Sequence, residues 1–186
     1  MRFQPYKKLD AIEEGIGMEF TIRPICLKDA PDINEIRRMS GVMENILGVP
    51  SETVSNSERF ISNMDGNSHE FVAVITDENG VEKAIGCAGL SVYASPRMRH
   101  SAGIGIMVHK AYQGMGVGQK LMEALLDMAD NWLMLVRVEL TVYTDNGKAI
   151  RLYEKMGFVR EGVKRKAAIR RGQYADEYIM ARIRDD

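Results

Sequence analysis

Residues 100–130 read "HSAGIGIMVHKAYQGMGVGQKLMEALLDMAD" and contain three patterns in order: a strand, a glycine-rich loop and a helix. Alternation over residues 100–110 predicts a strand whose two faces carry different side chains. One face has Ile104, Ile106 and Val108, and the other has Gly103, Gly105 and Met107. Behind the loop, apolar residues at helical spacing predict a helix that reaches Asn131. Its expected core stripe consists of Leu121, Leu125, Met128 and Trp132.

The loop carries glycine at three alternate positions, Gly114, Gly116 and Gly118. Glycine leaves backbone N–H groups accessible and adopts positive φ, and the following helix adds its N-terminal dipole, so the loop favours phosphate binding. A P-loop and a dinucleotide fingerprint both fail, because counted from Gly114 each requires a glycine where Gln119 stands. The pattern that fits is Q-x-x-G-x-G, which begins at Gln113. On its own this pattern is also compatible with a plain glycine-rich turn.

A second informative segment, residues 141–158, reads "TVYTDNGKAIRLYEKMGF". It predicts the end of a strand and then a short helix, with Asp145 or Asn146 as N-cap and Gly157 as the C-terminal stop. Tyr153 lies two turns into this helix, on the stripe expected to face inward. Taken alone, the segment favours a core tyrosine and an ordinary N-cap.

The rest of the chain alternates between strand and helix patterns. Alternating or β-branched runs predict strands over residues 19–25, 70–76, 82–93, 136–144, 159–169 and 173–183. Helical spacing predicts one helix over residues 29–40, with Asp29 as N-cap. A second helix is predicted over residues 51–64, and its start is Ser51 or Ser57. The fold class is therefore mixed α/β.

Length and charge limit the function classes. The chain has 186 residues, enough for one domain with a full core. We expect that domain over residues 18–186, behind an N-terminal extension over residues 1–17, with Met1 and Met18 both open as the start of translation. The formal net charge of −1 gives no general attraction to nucleic acid or to a membrane surface. No apolar run reaches the roughly 18 residues of a membrane span, so neither partner is expected.

Cysteine and histidine usage predicts no metal site. Cys26 and Cys87 lie far apart, without metal-type spacing, and are expected to be reduced, buried thiols of a cytoplasmic protein. His69, His100 and His109 are scattered along the chain and form no ligand pair.

Together, the two segments resemble the GNAT superfamily, the N-acetyltransferases that use acetyl-CoA. The resemblance covers roughly residues 19–183 and rests on "GIGIMV", "QGMGVG" and the pattern N-x-x-A-I-x-L-Y-x-K-x-G-F that starts at Asn146. It implies a GNAT fold, in which about four helices flank a mostly antiparallel sheet of about six or seven strands. "DNWL", "VELTVYTDN" and "GQYADEYIMARI" look more narrowly like bacterial enzymes that acetylate free amino acids and related amines.

The resemblance also implies where the co-substrate acetyl-CoA would bind. The pantetheine arm would run along Ile106, Met107 and Val108. The pyrophosphate would lie on the loop that Gln113 opens, against the N–H groups of Gly114, Met115, Gly116, Val117, Gly118 and Gln119. Asn146 would face the pantetheine, and Tyr153 would point its hydroxyl at the CoA sulfur.

The implied reaction is attack of a neutral amine on a thioester. Since an alkyl amine has a pKa near 10, a base or a water chain must take its proton. Tyr153 fits as the acid for the leaving thiolate, and a backbone N–H near residues 107–108 fits as the oxyanion donor. The family commonly places the base where Thr141 stands here. Glu139 shares the face of Thr141 and is the candidate base through a water; the alternative is a solvated or structural glutamate.

The expected acceptor is a small primary amine, with a free amino acid first. A protein N-terminus, a lysine or a polyamine are the rivals within the family, and a CoA-binding module without turnover is the rival outside it. Nucleotide or RNA binding is disfavoured by the failed motifs and the near-neutral charge. Cys87 is expected outside the acetyl site, which favours direct transfer in a ternary complex. A homodimer is a further expectation.

Three other groups of residues are weaker candidates for contacts with substrate. In the loop over residues 44–56 they are Asn45, Leu47 and Val49. Near the last hairpin, Lys164, Arg165, Lys166, Arg170 and Arg171 form a basic cluster that is either a solvated face balanced by acids or an anion site. Arg97, Arg99 and His100 have the same two interpretations.

Overall fold

A computed structural model describes residues 18–184 of the chain. The predicted N-terminal extension, residues 1–17, lies outside the described residues, as do residues 185–186. The domain bounds and the choice between Met1 and Met18 therefore stay predictions.

The described residues contain seven strands, and all seven belong to one sheet. The strands are β1 (Thr21–Pro24), β2 (Ser68–Thr76), β3 (Glu82–Val92), β4 (Ser101–Val108), β5 (Arg137–Tyr143), β6 (Val159–Arg170) and β7 (Gln173–Ile183). Their order across the sheet is β1-β2-β3-β4-β5-β7-β6. Only the β4–β5 pair is parallel within this sheet; the other neighbours are antiparallel. The predicted mixed, mostly antiparallel sheet is confirmed.

Four α-helices of the described chain flank this sheet. They are α1 (Ala30–Arg38), α2 (Val54–Ser62), α3 (Val117–Asp127) and α4 (Gly147–Lys155). Short 3-10 turns occupy Leu27–Asp29, Met43–Asn45, Pro96–Met98 and Lys110–Tyr112. On one face, α1 packs against β2, β3 and β4, and α2 packs beside α1. On the opposite face, α3 and α4 enclose the larger apolar core.

The two faces of β4 are confirmed as predicted. Ile104, Ile106 and Val108 pack on the core of α3 and α4, whereas Met107 is buried in the cluster under α1. Leu121 and Leu125 of α3 are fully buried in the larger core, as the helical stripe predicted. Full burial of one such leucine contributes roughly 2 kcal/mol, so these contacts fix the helix behind the glycine loop.

The parallel pair β4–β5 separates after a short stretch of pairing. Only Ser101, Ala102 and Gly103 of β4 are in register with β5, where their partners are Arg137, Val138 and Glu139. Both strands then continue, to Val108 and Tyr143, without pairing further with each other. Since β3 still pairs with β4 as far as Val108, the opening lies between β4 and β5 alone. This gap exposes one edge of β4 in the middle of the sheet.

Helix α1 starts directly after the predicted N-cap position, but its cap contact differs from the prediction, and α2 starts at neither predicted serine. Asp29 directly precedes α1 but makes no side-chain cap to it. Its carboxylate instead accepts hydrogen bonds from the Cys26 N–H at 2.8 Å and from Arg23. The second helix begins at Val54, so Ser57 is a buried residue inside it rather than its cap. Asp29 therefore uses its carboxylate for a different local contact, whereas the Ser57 hydroxyl is buried without a hydrogen-bond partner among the described residues.

Trp132 was predicted in the core stripe behind α3, and that prediction is wrong. The α-helix ends at Asp127, and residues Met128–Trp132 form a π-helical turn. The wider turn shifts the positions beyond it out of the 3.6-residue period, and Trp132 is 65% exposed.

The two cysteines also differ from each other. Cys87 is buried as predicted, but Cys26 is exposed in the turn after β1, where its thiol faces the Asp29 carboxylate. Among residues 18–184, no helix is long and apolar enough to cross a membrane.

Candidate active site

The glycine loop has the backbone geometry that its sequence predicts. Gly114 and Gly116 both have φ of +82°, a conformation that a residue with a Cβ adopts only under strain. Gly116 stands at the N-terminus of α3, whose first N–H groups therefore face the loop. The Gln113 side chain donates to the Val108 carbonyl at 3.0 Å, which ties the loop to the end of β4.

A cavity of about 690 Å³, here called the glycine-loop cavity, lies between this loop, β4 and α4. The predicted residues that line it are Ile106, Met107, Val108, Gln113, Gly114, Gly116, Gln119, Asn146 and Tyr153. Three of the residues predicted to bind acetyl-CoA do not line it. Met115 points outward and is 41% exposed, Val117 is buried in the core, and Gly118 packs close to Leu152.

Asn146 and Tyr153 enter the cavity from one helix. The Asn146 side chain accepts a hydrogen bond from the Ala149 N–H at 3.3 Å, so Asn146 rather than Asp145 caps α4. Tyr153 is buried on the next turns, with its ring tilted against Phe158. Burial raises the pKa of Tyr153 to about 12, so the hydroxyl keeps its proton at neutral pH.

Sequence reasoning missed three cations beside the glycine loop. Lys110, Lys148 and Arg151 all line the glycine-loop cavity. Lys148 and Arg151 are three residues apart in α4 and therefore share a face of the helix. This i, i+3 spacing next to the Asn146 cap was the available signal.

A second, larger cavity of about 1120 Å³ lies on the face covered by α1 and α2. We call it the carboxylate cavity because its wall holds four carboxylates, namely Glu52, Glu70, Glu139 and Glu161. Its cations are Arg37, Arg137 and Lys164. Both cavities are lined by Ile46, Ile106, Met107 and Thr141, so they meet where β4 and β5 separate.

Glu139, the predicted proton acceptor, lies in the carboxylate cavity within a network of strong donors. Tyr93 donates to one carboxylate oxygen at 2.5 Å, and Arg137 donates to the other at 2.6 Å. Arg137 also binds Glu161 at 2.9 Å. The Tyr93 hydrogen bond and the neighbouring Arg137 lower the pKa of Glu139, which leaves it ionised but weakly basic. Its catalytic role stays a prediction.

Glu70 is a carboxylate of a different kind. It lies on β2, partly buried, and forms no hydrogen bond or ion pair through its side chain within residues 18–184. The positive charge of Arg37 lowers the pKa of Glu70, but the Arg37 guanidinium itself binds Glu52 at 2.6 and 3.0 Å. Desolvation therefore dominates and raises the pKa of Glu70 to about 7.

Cys87 was expected outside the acetyl site, but the structure places it in the wall of the carboxylate cavity. Its register partner across β3 and β4 is Met107, which lines both cavities. Burial raises the pKa of the Cys87 thiol far above neutral pH, which keeps it in the unreactive protonated form.

The weaker candidates divide between the two cavities and the surface. Asn45 lines the glycine-loop cavity, whereas Leu47 and Val49 line neither cavity and are 78% and 54% exposed. Ile46, between Asn45 and Leu47, lines both cavities. In the basic cluster, Lys164 alone lines a cavity. Arg170 binds Asp145 and Arg171 binds Glu44, so these two are balanced by acids.

Arg97, Arg99 and His100 line neither of the two cavities. Within residues 18–184, no group of three or more His, Cys, Asp or Glu side chains is placed to hold a metal ion. The loop before β4 therefore contributes none of the charged groups that line the two cavities.

The model of the acetyltransferase (GNAT) family matches residues 40–158. The chain belongs to this family. It is 33% identical over 174 residues to the L-amino acid N-acetyltransferase AaaT of Escherichia coli (strain K12), over 89% of this chain and 99% of that one.

Solved GNAT structures have the same fold. A GNAT-family acetyltransferase from Streptococcus pneumoniae superposes with a TM-score of 0.75 at 28% identity, over 89% of this chain and 99% of that one. The spermidine N-acetyltransferase of Vibrio cholerae, solved in complex with CoA and spermine, gives a TM-score of 0.75 at 26% identity, over 88% and 95%. The GNAT resemblance of the two sequence segments is confirmed, and the chain is a GNAT N-acetyltransferase.

The GNAT family match does not cover the whole of the carboxylate cavity. It ends at Phe158, before β6, and it begins after α1. Arg37, Glu161 and Lys164, all in the wall of that cavity, therefore lie outside the matched region. The glycine-loop residues from Ile106 to Tyr153 all lie within it.

Proposed function

We propose that acetyl-CoA binds in the glycine-loop cavity and that its acetyl group passes directly to a small primary amine, with a free amino acid first, in the carboxylate cavity. The observation that carries this proposal is the meeting of the two cavities at the gap between β4 and β5. A thioester laid along the free edge of β4 is accessible from both sides of the sheet there.

The glycine-loop cavity suits the charged end of CoA. The positive-φ glycines, Gly114 and Gly116, and the start of α3 supply backbone N–H groups for the pyrophosphate. Lys110, Lys148 and Arg151 add positive charge around the same cavity, where CoA has its phosphates. The unpaired edge of β4 past Gly103 leaves backbone groups for the pantetheine amides.

Tyr153 is the proposed acid. When the amine nitrogen bonds to the thioester carbon, the C–S bond breaks and its electron pair leaves on sulfur. The buried hydroxyl of Tyr153 still holds its proton at neutral pH and can give it to that thiolate. A buried site also disfavours the charged thiolate, so the thiolate takes up a proton more readily than it would in water. The raised pKa of Tyr153 is therefore partly offset.

Direct transfer is favoured over an acetyl-enzyme. Cys87 is the one thiol in either cavity wall of the described chain, and its raised pKa keeps it protonated. A thiol in that state is a poor nucleophile, so the incoming amine is the better attacking group.

The charges of the carboxylate cavity support an amino acid. Lys164 has no ion-pair partner within residues 18–184, so its ammonium is available for the carboxylate of an amino acid. Arg37 and Arg137 are each neutralised by a glutamate. A polyamine is the second candidate, because four carboxylates line the cavity and the V. cholerae neighbour was solved with spermine.

The test is release of CoA thiol from acetyl-CoA over a panel of free amino acids, polyamines and peptides. We expect turnover with at least one amino acid at a higher kcat/KM than with spermidine or spermine. Tight binding of acetyl-CoA without turnover on any amine would contradict the proposal. Intact mass after incubation with acetyl-CoA alone should show no acetyl adduct at Cys87.

A further inference from the structure

Glu70 stands in a row that crosses the sheet toward the gap between β4 and β5. It pairs with Gly89 of β3, and Gly89 pairs with Gly105 of β4. Residues in register across neighbouring strands project to the same face of a sheet. The row therefore consists of one carboxylate followed by two positions without side chains, and all three line the carboxylate cavity.

The glycine at position 89 is required by the carboxylate itself. A Cβ on Gly89 would lie 1.7 Å from Oε1 and 2.1 Å from Cδ of Glu70. The carboxylate thus rests directly on the β3 backbone, displaced from its own strand toward β4. A Cβ on Gly105 would meet no atom within 4 Å, so the path from the carboxylate to the edge of β4 is open.

The surroundings of Glu70 leave its oxygens available. Its side chain accepts no hydrogen bond from any described residue, and the guanidinium of Arg37 is held by Glu52. The titratable and charged groups that face it on the packed elements and across the cavity are Arg37, Glu52, Cys87, Tyr93, Arg137, Glu139, Glu161 and Lys164. Of the four carboxylates that line the cavity, Glu70 is the one whose pKa is raised, to about 7.

We propose that Glu70, reaching over Gly89, accepts the proton that the acceptor nitrogen releases as it bonds to the acetyl carbon. The inference rests on the proposed function. An acceptor ammonium first loses one proton to solvent, and the resulting amine forms the C–N bond. Glu70 then takes the second proton, and Tyr153 gives one to the departing thiolate. Solvent returns both side chains to their starting states, so each turnover releases one proton.

Glu70 suits this step better than Glu139. The oxygens of Glu139 are occupied by Tyr93 and Arg137, and its pKa is lowered. A carboxylate whose pKa lies near the working pH is partly unprotonated and still binds a proton with useful affinity. The approach over Gly89 brings that group from β2 to the cavity that the acceptor enters.

The first experiment compares Glu70→Gln with the full-length wild type on the best amine of the panel. We expect kcat to fall about 100-fold, the usual contribution of a general base. The KM for acetyl-CoA should stay within about threefold, since the lost interaction forms only during the reaction. Wild-type kcat should fall tenfold per pH unit below about pH 7, and this acidic limb should be absent from Glu70→Gln.

The matched control is Glu35→Gln, which removes an exposed carboxylate of α1 that lines neither cavity. It should leave kcat and the acidic limb unchanged. Glu139→Gln is measured alongside. Loss of the limb in Glu139→Gln, with retention in Glu70→Gln, would assign the proton to Glu139 and overturn the inference. A rise in the amine KM of Glu70→Gln with the limb retained would make Glu70 an ammonium anchor, which also overturns it.

A second variant, Gly89→Ala, keeps the carboxylate but moves it. The atoms that its Cβ would meet belong to the end of a flexible side chain, so the fold can accommodate the methyl group by displacing Glu70. We expect kcat to fall at least tenfold with unchanged acetyl-CoA affinity, whereas Gly66→Ala, whose Cβ meets nothing within 4 Å, changes neither.

The outcomes separate the two proposals. If the wild type turns over no amine, the proposed function fails before Glu70 is tested. If the wild type turns over and both Glu70→Gln and Gly89→Ala retain its kcat and acidic limb, the proposed function stands and the role of Glu70 is wrong.

Discussion

The two cavities that meet at the β4–β5 gap are built in different ways. The glycine-loop cavity is formed largely by two continuous stretches, from Ile106 to Gln119 and from Asn146 to Tyr153. The carboxylate cavity combines one continuous stretch, residues 103–107, with side chains from many separate elements between Ile25 and Ile179. A site made from local backbone leaves a pattern in sequence, and a site made from distant side chains does not. The family's shared co-substrate and its variable acceptors match this division.

The largest expected effect is on the chemical step, for which Tyr153 of the glycine-loop cavity is the proposed acid. Tyr153→Phe should lower kcat about 100-fold, because the thiolate loses its acid. Its acetyl-CoA dissociation constant should stay near the wild-type value, measured by calorimetry. Tyr143→Phe is the control, since Tyr143 is buried on β5 but lines neither cavity. An unchanged kcat in Tyr153→Phe would remove Tyr153 from the mechanism.

The glycine-loop cavity should be sensitive to backbone conformation. Gly116→Ala places a Cβ at φ of +82°, at a cost of about 1 kcal/mol or more. Loss of one charge-assisted hydrogen bond, about 1.5 kcal/mol, should weaken acetyl-CoA binding about tenfold. Gly80→Ala, at φ of +78° in the β2–β3 turn, should lose similar stability in denaturant melts without weakened binding. Equal binding in the two variants would show that the loop does not hold the phosphates.

A smaller effect should separate the two residues at the start of α4. Asn146→Ala removes the side-chain cap and should lower the free energy of unfolding by about 1 kcal/mol. Asp145→Ala breaks only an exposed pair with Arg170 and should lower it by about 0.5 kcal/mol or less. Urea denaturation measures both. A larger loss in Asp145→Ala would assign the cap to Asp145 instead.

The smallest effect is expected in the carboxylate cavity. Lys164→Gln should raise the KM for an amino acid about threefold, the amount expected for a solvent-exposed ion pair. The KM for acetyl-CoA should not change. Lys166→Gln, on the same strand but outside both cavities, is the control. If the KM for the amino acid is the same in both variants and the wild type, Lys164 does not recognise the acceptor carboxylate.

Much of the fold could be predicted because its patterns are local. The alternation in β4 correctly separated Ile106 from Met107, and the run Gln173–Ile183 is a strand over its whole predicted length. The failures arise where a local pattern meets a tertiary contact. Asp29 has the chemistry of an N-cap but binds Arg23, and the π-turn at Met128–Trp132 removes Trp132 from the core stripe.

The same physical limit applies to the candidate site. Gly114, Gly116 and Asn146 were identified through the GNAT resemblance of their two segments, and all three line one cavity in the structure. Glu70 could not be identified from spacing, because its position depends on Gly89, nineteen residues away, and on the register that pairs them. Leu47 and Val49 were selected from the right loop, but Ile46, directly before Leu47, is the residue that turns inward.

A crystal structure with CoA and an amino-acid acceptor tests the central claim most directly. We predict the CoA pyrophosphate on the N–H groups from Gly114 to Gly118, its thiol in the gap between β4 and β5, and the acceptor nitrogen in the carboxylate cavity on the side of Glu70. CoA in the carboxylate cavity, or both ligands on the same side of the gap, would contradict the account.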